Sequence, residues 1–222
     1  MNFLRFLSFW VGGVVLITGP CFESVAESLA EENAPFKEES ANPQQDVSSP
    51  RLISLNGPVD GAMAIQFRKR ILQYDYESHD PIYIWINSPG GDSAAMFLMY
   101  NLMKMVESPV VTIGAGMIAS AASLLLSAGS KGHRFMFPHS RLMIHEGGSG
   151  VTAAPKKIFD AAVEYLKSRE DEYPAYLAQE TGQTLDKMKK LCSKDRWMGA
   201  EEAIALGFID KVLYKNPFHV SS

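Results

Sequence analysis

The sequence predicts an α/β domain of parallel βαβ units. Three observations carry that expectation. From residue 51 onward, short β-branched runs alternate with amphipathic or small-residue helical stretches. The turns between them are short and rich in glycine, so right-handed crossovers and a parallel sheet are favoured. With 222 residues, 46% hydrophobic and 21% charged, the chain is one domain with extensions and has ample core-forming material.

The first stretch departs from that profile. Arg5 is followed by an uncharged, largely apolar run from Phe6 to Thr18, the length of a signal-peptide core and short for a membrane span. Ser24 and Ala26 put small residues at −3 and −1 of a cleavage point before Glu27. Residues 1–26 are therefore expected to be a signal peptide, or a membrane anchor if uncut. If uncut, Arg5 and the acid-rich flank would leave the body outside the cytoplasm; if cleaved, the protein would be periplasmic or secreted. The alternative is a cytoplasmic protein in which this run is a buried helix. Residues 27–50 are rich in Glu, Ser, Pro, Gln and Asn and are expected to be a disordered polar linker, because they bury too little to offset ordering the backbone.

The folded domain is expected over 51–215, with a short tail at 216–222. Residues 51–55 form a strand and 56–58 (Asn-Gly-Pro) a turn. Residues 59–74, with Met63, Ile65, Ile71 and Leu72 among basic residues, form an amphipathic helix. Residues 81–86 (PIYIWI) form a strand, 87–91 (NSPGG) a sharp turn and 93–106 a Met-rich helix. Residues 110–113 form a strand broken by Gly114 and Gly116, and 119–128 a helix closed by Gly129. Strands at 134–138 and 141–145 precede a glycine-rich loop. A long amphipathic helix at 156–173 is then broken at Pro174. Helices at 184–191 and 200–206 and a strand at 208–214 complete the domain.

The net charge is −4, with no basic stripe, which gives nucleic-acid binding no electrostatic support. Cys21 and Cys192 match no metal-ligand spacing. There is no G-x-G-x-x-G and no Walker lysine. Neither a metal nor a cofactor is expected.

The chemistry concentrates at Ser120, where the helix after the 110–113 strand should begin. A hydroxyl beside the free N–H of Ala121 is what nucleophilic acyl chemistry needs. A helix N-cap would put a serine at the same point. Gly90 and Gly91, at another strand-to-helix junction, suit one half of an oxyanion hole. Among His79, His133, His139, His145 and His219, only His145 closes an apolar strand before a glycine-rich loop, a place for a base on a rigid scaffold. Residue chemistry alone leaves the orienting carboxylate open.

Six blocks then fall in a recognisable order: INSPGG (86–91), GMIAS (116–120), AGSKGHRF (128–135), SRLMIH (140–145), TGQTL (181–185) and DRWMGAEEAIALGFID (195–210). Together they resemble the proteolytic subunit of Clp protease over residues 51–213. The resemblance implies the Clp/crotonase-like fold, a repeated ββα superhelix with a protruding handle helix. It implies a serine endopeptidase that acts on peptides or unfolded proteins. Ser120, rather than Ser123, would be the nucleophile, His145 the general base and Asp195 the orienting acid. The N–H groups of Gly91 and Ala121 would hold the oxyanion. It also implies a homo-oligomer, two heptameric rings whose handles interlock around a chamber.

The chain departs from the family pattern in three places. Glu146 and Gly147 stand where a proline is usual, and Gly199 stands where serine is common. The leader and linker replace the region that helps engage ATPase rings, so an AAA+ partner is not expected. Three other readings share parts of the pattern: a silent structural subunit of a ring, a crotonase-type acyl-CoA enzyme, and a signal-peptide-peptidase-like serine–lysine protease.

Overall fold

The computed structural model describes residues 51–146 and 171–215, together with positions 10, 11, 14, 15, 160 and 164. The domain is organised by a seven-stranded sheet. Its strands are β1 (Leu52–Asn56), β2 (Ile82–Ser88), β3 (Val110–Ala119), β4 (Arg134–Met136), β5 (Arg141–Ile144), β6 (Arg196–Met198) and β7 (Lys211–Val212). The main path runs β1-β2-β3-β4-β7, all parallel, while β5 leaves it to pair parallel with β3 and antiparallel with β6. Helices fill the crossovers: α1 (Gly61–Glu77), α2 (Ser93–Met105), α3 (Ala121–Ser127), α4 (Glu172–Thr181), α5 (Leu185–Cys192) and α6 (Ala200–Ala205).

Local chemistry accounts for these boundaries. Asp60 caps α1 by accepting from Met63 N at 2.8 Å, and Asp92 caps α2 by accepting from Ala95 N at 2.7 Å. Thr184 does the same for α5 through Lys187 N at 3.3 Å. Val110, Val111, Thr112 and Ile113 are all buried, as expected of a parallel strand covered on both faces. The core gathers Ile82, Ile84, Ile86, Met99, Leu124, Leu125 and Phe208 around that strand.

Four expectations need correction. The strand at 110–113 does not stop at its glycines: β3 runs to Ala119, and α3 starts only at Ala121. Gly114 and Gly116 make room inside the strand instead. A Cβ on Gly114 would lie 2.8 Å from Met136 Cγ, and one on Gly116 (φ +91) 2.8 Å from Asn87 Oδ1. Pro174 does not end a helix at Tyr173: it sits in the first turn of α4, where a missing N–H is tolerated. β6 was not expected and is antiparallel, so the sheet is mixed. The final strand shrinks from 208–214 to Lys211–Val212. The long helix expected over 156–173 lies mostly outside the described residues.

In residues 1–48, a unit of their own, Trp10–Val11 pairs antiparallel with Val14–Val15. Among the described residues no helix is long and apolar enough to cross a membrane.

One ion pair ties β4 to the turn before β7. The Arg134 guanidinium is buried and reaches Asp210 through Nε at 3.0 Å and Nη2 at 2.6 Å, while Asp210 Oδ2 also accepts from Gly132 N and Arg134 N. Burial pushes the Asp210 carboxyl up, but the Arg134 hydrogen bonds outweigh it and hold the pKa below the ordinary value. A depressed folded pKa contributes stability that is present above the unfolded pKa and lost as pH falls through the folded one. Asp210→Ala strands a buried guanidinium and should cost about 3 kcal/mol in urea unfolding at neutral pH. Its gap from wild type should narrow as pH falls below about 4.

Candidate active site

The site forms where β3 passes directly into α3. Ser120 takes φ 54 and ψ −121, and it is the one non-glycine residue with positive φ among the described residues. That conformation costs on the order of 1–3 kcal/mol and persists only where its surroundings hold it. Its N–H donates to Met143 O at 2.9 Å, and its carbonyl accepts from Ser123 N at 2.9 Å. Its side chain makes no capping hydrogen bond. The helix-cap alternative therefore fails, and the hydroxyl is free for another partner.

That partner is His145, which follows the last residue of β5. Its Nε2 lies 2.9 Å from Ser120 Oγ. If Nε2 accepts from the serine, the ring proton sits on Nδ1. Nδ1 in turn faces Asp195 Oδ1 at 3.5 Å, and the His145 and Asp195 side chains are 29% and 72% exposed. The contact is an ionic approach longer than an optimal hydrogen bond, as is common in unliganded sites. The register of β6 explains how the acid gets there. Ile144 is paired with Arg196, so the residue just after β5 and the residue just before β6, His145 and Asp195, meet across the antiparallel pair.

The glycine turn closes the other side. Ser88 Oγ accepts from Gly90 N at 3.1 Å, and Gly90 O accepts from Val59 N at 2.9 Å. A Cβ on Gly90 (φ +86) would lie 2.7 Å from Ser120 Cβ and 2.9 Å from Ala121 N, so this backbone lies directly against the serine junction. A Cβ on Gly91 would collide with the Val59 backbone. The N–H groups of Gly91 and Ala121 meet no acceptor among the described residues.

The remaining candidates lie elsewhere. His79 approaches Asp75 and Glu107 at the surface, and His133 Nδ1 faces Lys131 O. Ser123 is fully buried, with its hydroxyl 2.6 Å from Ser120 O and 2.7 Å from Tyr173 Oη. Burial, with the Glu146 charge added, pushes the Cys192 thiol up to about 12, too high for a nucleophile near neutrality. Lys104 and Lys131 are engaged with Glu180, so neither serves as the base of a serine–lysine pair. Among the described residues no group of His, Cys, Asp or Glu could hold a metal ion. Tyr173, whose hydroxyl lies 3.0 Å from Ser120 O, was not singled out from the sequence and carries no local signal there.

A hydroxyl bonded to an imidazole, beside backbone N–H groups that meet no acceptor among the described residues, is the arrangement of a serine hydrolase. Comparison with known proteins gives the family. Residues 36–216 match the family described as Clp protease. Over 169 residues the chain is 37% identical to the ATP-dependent Clp protease proteolytic subunit of Streptococcus pyogenes serotype M5 (strain Manfredo), spanning 75% of this chain and 86% of that relative. The same protein of serotype M49 (strain NZ131) gives the same figures. The chain belongs to the Clp protease family and is a serine-type endopeptidase.

Gly90→Ala tests the close approach. Its Cβ would press on Ser120 and Ala121, and a shift of about 1 Å costs on the order of 10²-fold. Peptide hydrolysis should fall at least that far while far-ultraviolet circular dichroism stays at the wild-type level.

Proposed function

We propose that Ser120, His145 and Asp195 form the catalytic triad and that the N–H groups of Gly91 and Ala121 hold the oxyanion. The 2.9 Å contact between His145 Nε2 and Ser120 Oγ carries this reading. Ser120 Oγ attacks the scissile carbonyl as His145 Nε2 takes its proton. Asp195 keeps Nδ1 protonated and steadies the imidazolium that forms. The carbonyl oxygen becomes an oxyanion held by the two backbone donors. His145 then gives its proton to the leaving amine, and the acyl-enzyme is hydrolysed by water activated at the same imidazole.

Ser120→Ala should abolish peptide hydrolysis and covalent labelling by a fluorophosphonate, a loss on the order of 10⁶ in rate. Persistent labelling that disappears instead in Ser123→Ala would move the nucleophile. Asp195→Asn should keep the fold and lower turnover by roughly 10⁴, because histidine is left in the wrong tautomer. A loss of only a few-fold would mean that another carboxylate orients His145.

The finer reading is a homo-oligomeric ring, exported or membrane-tethered, that degrades peptides or unfolded proteins without an ATPase. Ile65, Leu72 and Tyr76 share one face of α1 and are 57%, 38% and 93% exposed, more apolar surface than a solvated helix face needs. A neighbouring subunit would cover it. The apolar leader and the linker support the location, although both relatives are described as ATP-dependent. The purified full chain should therefore run as a large oligomer in light scattering and cleave short peptides unaided. An inactive monomer that needs an AAA+ ATPase and ATP would overturn both parts.

A further inference from the structure

The peptide unit between Ser120 and Ala121 has two faces with different work. Its N–H, on Ala121, is one of the two donors assigned above to the oxyanion. Its C=O, on Ser120, points away from that N–H because the amide is planar and trans. Whatever fixes the carbonyl therefore fixes the direction of the N–H.

Three donor atoms converge on that carbonyl. Ser123 N lies at 2.9 Å, Ser123 Oγ at 2.6 Å and Tyr173 Oη at 3.0 Å, and the two hydroxyls are themselves 2.7 Å apart. Two hydroxyl protons serve three contacts. Tyr173 can donate to Ser123 while Ser123 donates to the carbonyl. Alternatively, Tyr173 donates to the carbonyl directly and Ser123 donates either to it or to Tyr173. In each arrangement the carbonyl receives at least one hydroxyl proton besides the Ser123 N–H. Ser123 is 0% exposed and Tyr173 9%, which leaves little room for water to compete. Burial also raises the Tyr173 phenol above its usual range, so it remains an O–H donor rather than a base.

We propose that Tyr173 is a positioning residue for the oxyanion site, its hydroxyl acting with that of Ser123 through the Ser120 carbonyl to aim and polarise the Ala121 N–H. The proposal rests on the assignment of that N–H to the oxyanion. Two physical effects follow from the geometry. The hydroxyls hold Ser120 in a backbone conformation that a serine rarely adopts, which needs just such support. Donors on one side of an amide also polarise it and strengthen the N–H on the other, since hydrogen bonds in a chain reinforce one another in a low-dielectric interior. The sequence position matters too. Tyr173 lies in the first turn of α4, so this helix reaches the junction with its N-terminal end.

The test uses the full-length protein with three variants, Tyr173→Phe, Ser123→Ala and the pair combined. Four readouts are needed: kcat, KM, affinity for a peptide boronate that mimics the tetrahedral intermediate, and affinity for a product peptide that does not. Removing a direct oxyanion donor costs 10²–10³-fold, so removing a hydroxyl one bond behind it should cost about tenfold in kcat. Tyr173→Phe should lose boronate affinity by the same factor, with KM and product affinity unchanged. Ser123→Ala should move the same readouts in the same direction, and the double variant should lose more than either, because only then is the carbonyl without a hydroxyl donor. Wild-type kcat and boronate affinity in Tyr173→Phe would overturn the proposal. So would a loss shared equally by KM and product affinity, which is what loosened packing alone would give. If Tyr173→Phe does not fold, the same readings on Ser123→Ala decide. Fluorophosphonate labelling separates this result from the underlying assignment. If labelling survives Ser120→Ala, the triad is wrong. If Ser120→Ala abolishes it while Tyr173→Phe behaves as wild type, only the role of Tyr173 falls.

Discussion

A single strained residue, Ser120, sits where β3 becomes α3 with no loop between them. A strand and a helix can join so abruptly only if one residue turns the backbone through a region that side chains disfavour. The surroundings are arranged to keep it there. Met143 O takes its N–H and Ser123 N meets its carbonyl, while the glycine turn packs against its other side. The reward is a hydroxyl that no helix turn reclaims, with the first free N–H of the helix beside it.

The sheet then delivers the partner side chains. β3 is long enough to pair with β4 through Thr112 to Gly114 and with β5 through Met117 to Ala119. Gly114 closes the first pairing, Gly116 lies between the two, and Asn87 Oδ1 accepts from Met117 N at 3.1 Å beside Gly116. This division leaves the end of β5 adjacent to the end of β3, which is why His145 reaches Ser120. The antiparallel strand β6 adds the acid by register alone. A one-residue slip in that pairing would turn Asp195 away from the imidazole.

α4 is held at both ends. Near its C-terminus the Glu180 side chain, 3% exposed, accepts from Tyr100 Oη at 2.7 Å and pairs with Lys104 Nζ at 2.8 Å. Its backbone carbonyl takes Arg134 Nη1 at 2.9 Å, so the same guanidinium that grips Asp210 also anchors this helix. Burial and the hydrogen bond to Glu180 both raise the Tyr100 phenol, which keeps it a donor. At the other end Tyr173 meets the serine junction. A helix fixed this way can present one hydroxyl precisely enough to matter in a site that tolerates little displacement.

The sequence by itself determined the α/β alternation, the existence of most elements and the candidacy of a helix-start serine and a strand-end histidine. These rest on local chemistry: β-branched runs, caps such as Asp60, Asp92 and Thr184, and glycines where the backbone must turn. Its blocks also carried the family resemblance, and with it Asp195. Residue chemistry could not choose that acid, because its place depends on the β5–β6 register across some fifty residues of chain. The continuation of β3 through Gly114 and Gly116 was equally hidden, since the reason for each glycine is a side chain, Met136 or Asn87, from another strand. Tyr173 was least legible of all. In sequence it is an aromatic residue before a proline, and only the packing of α4 against α3 brings its hydroxyl to the Ser120 carbonyl.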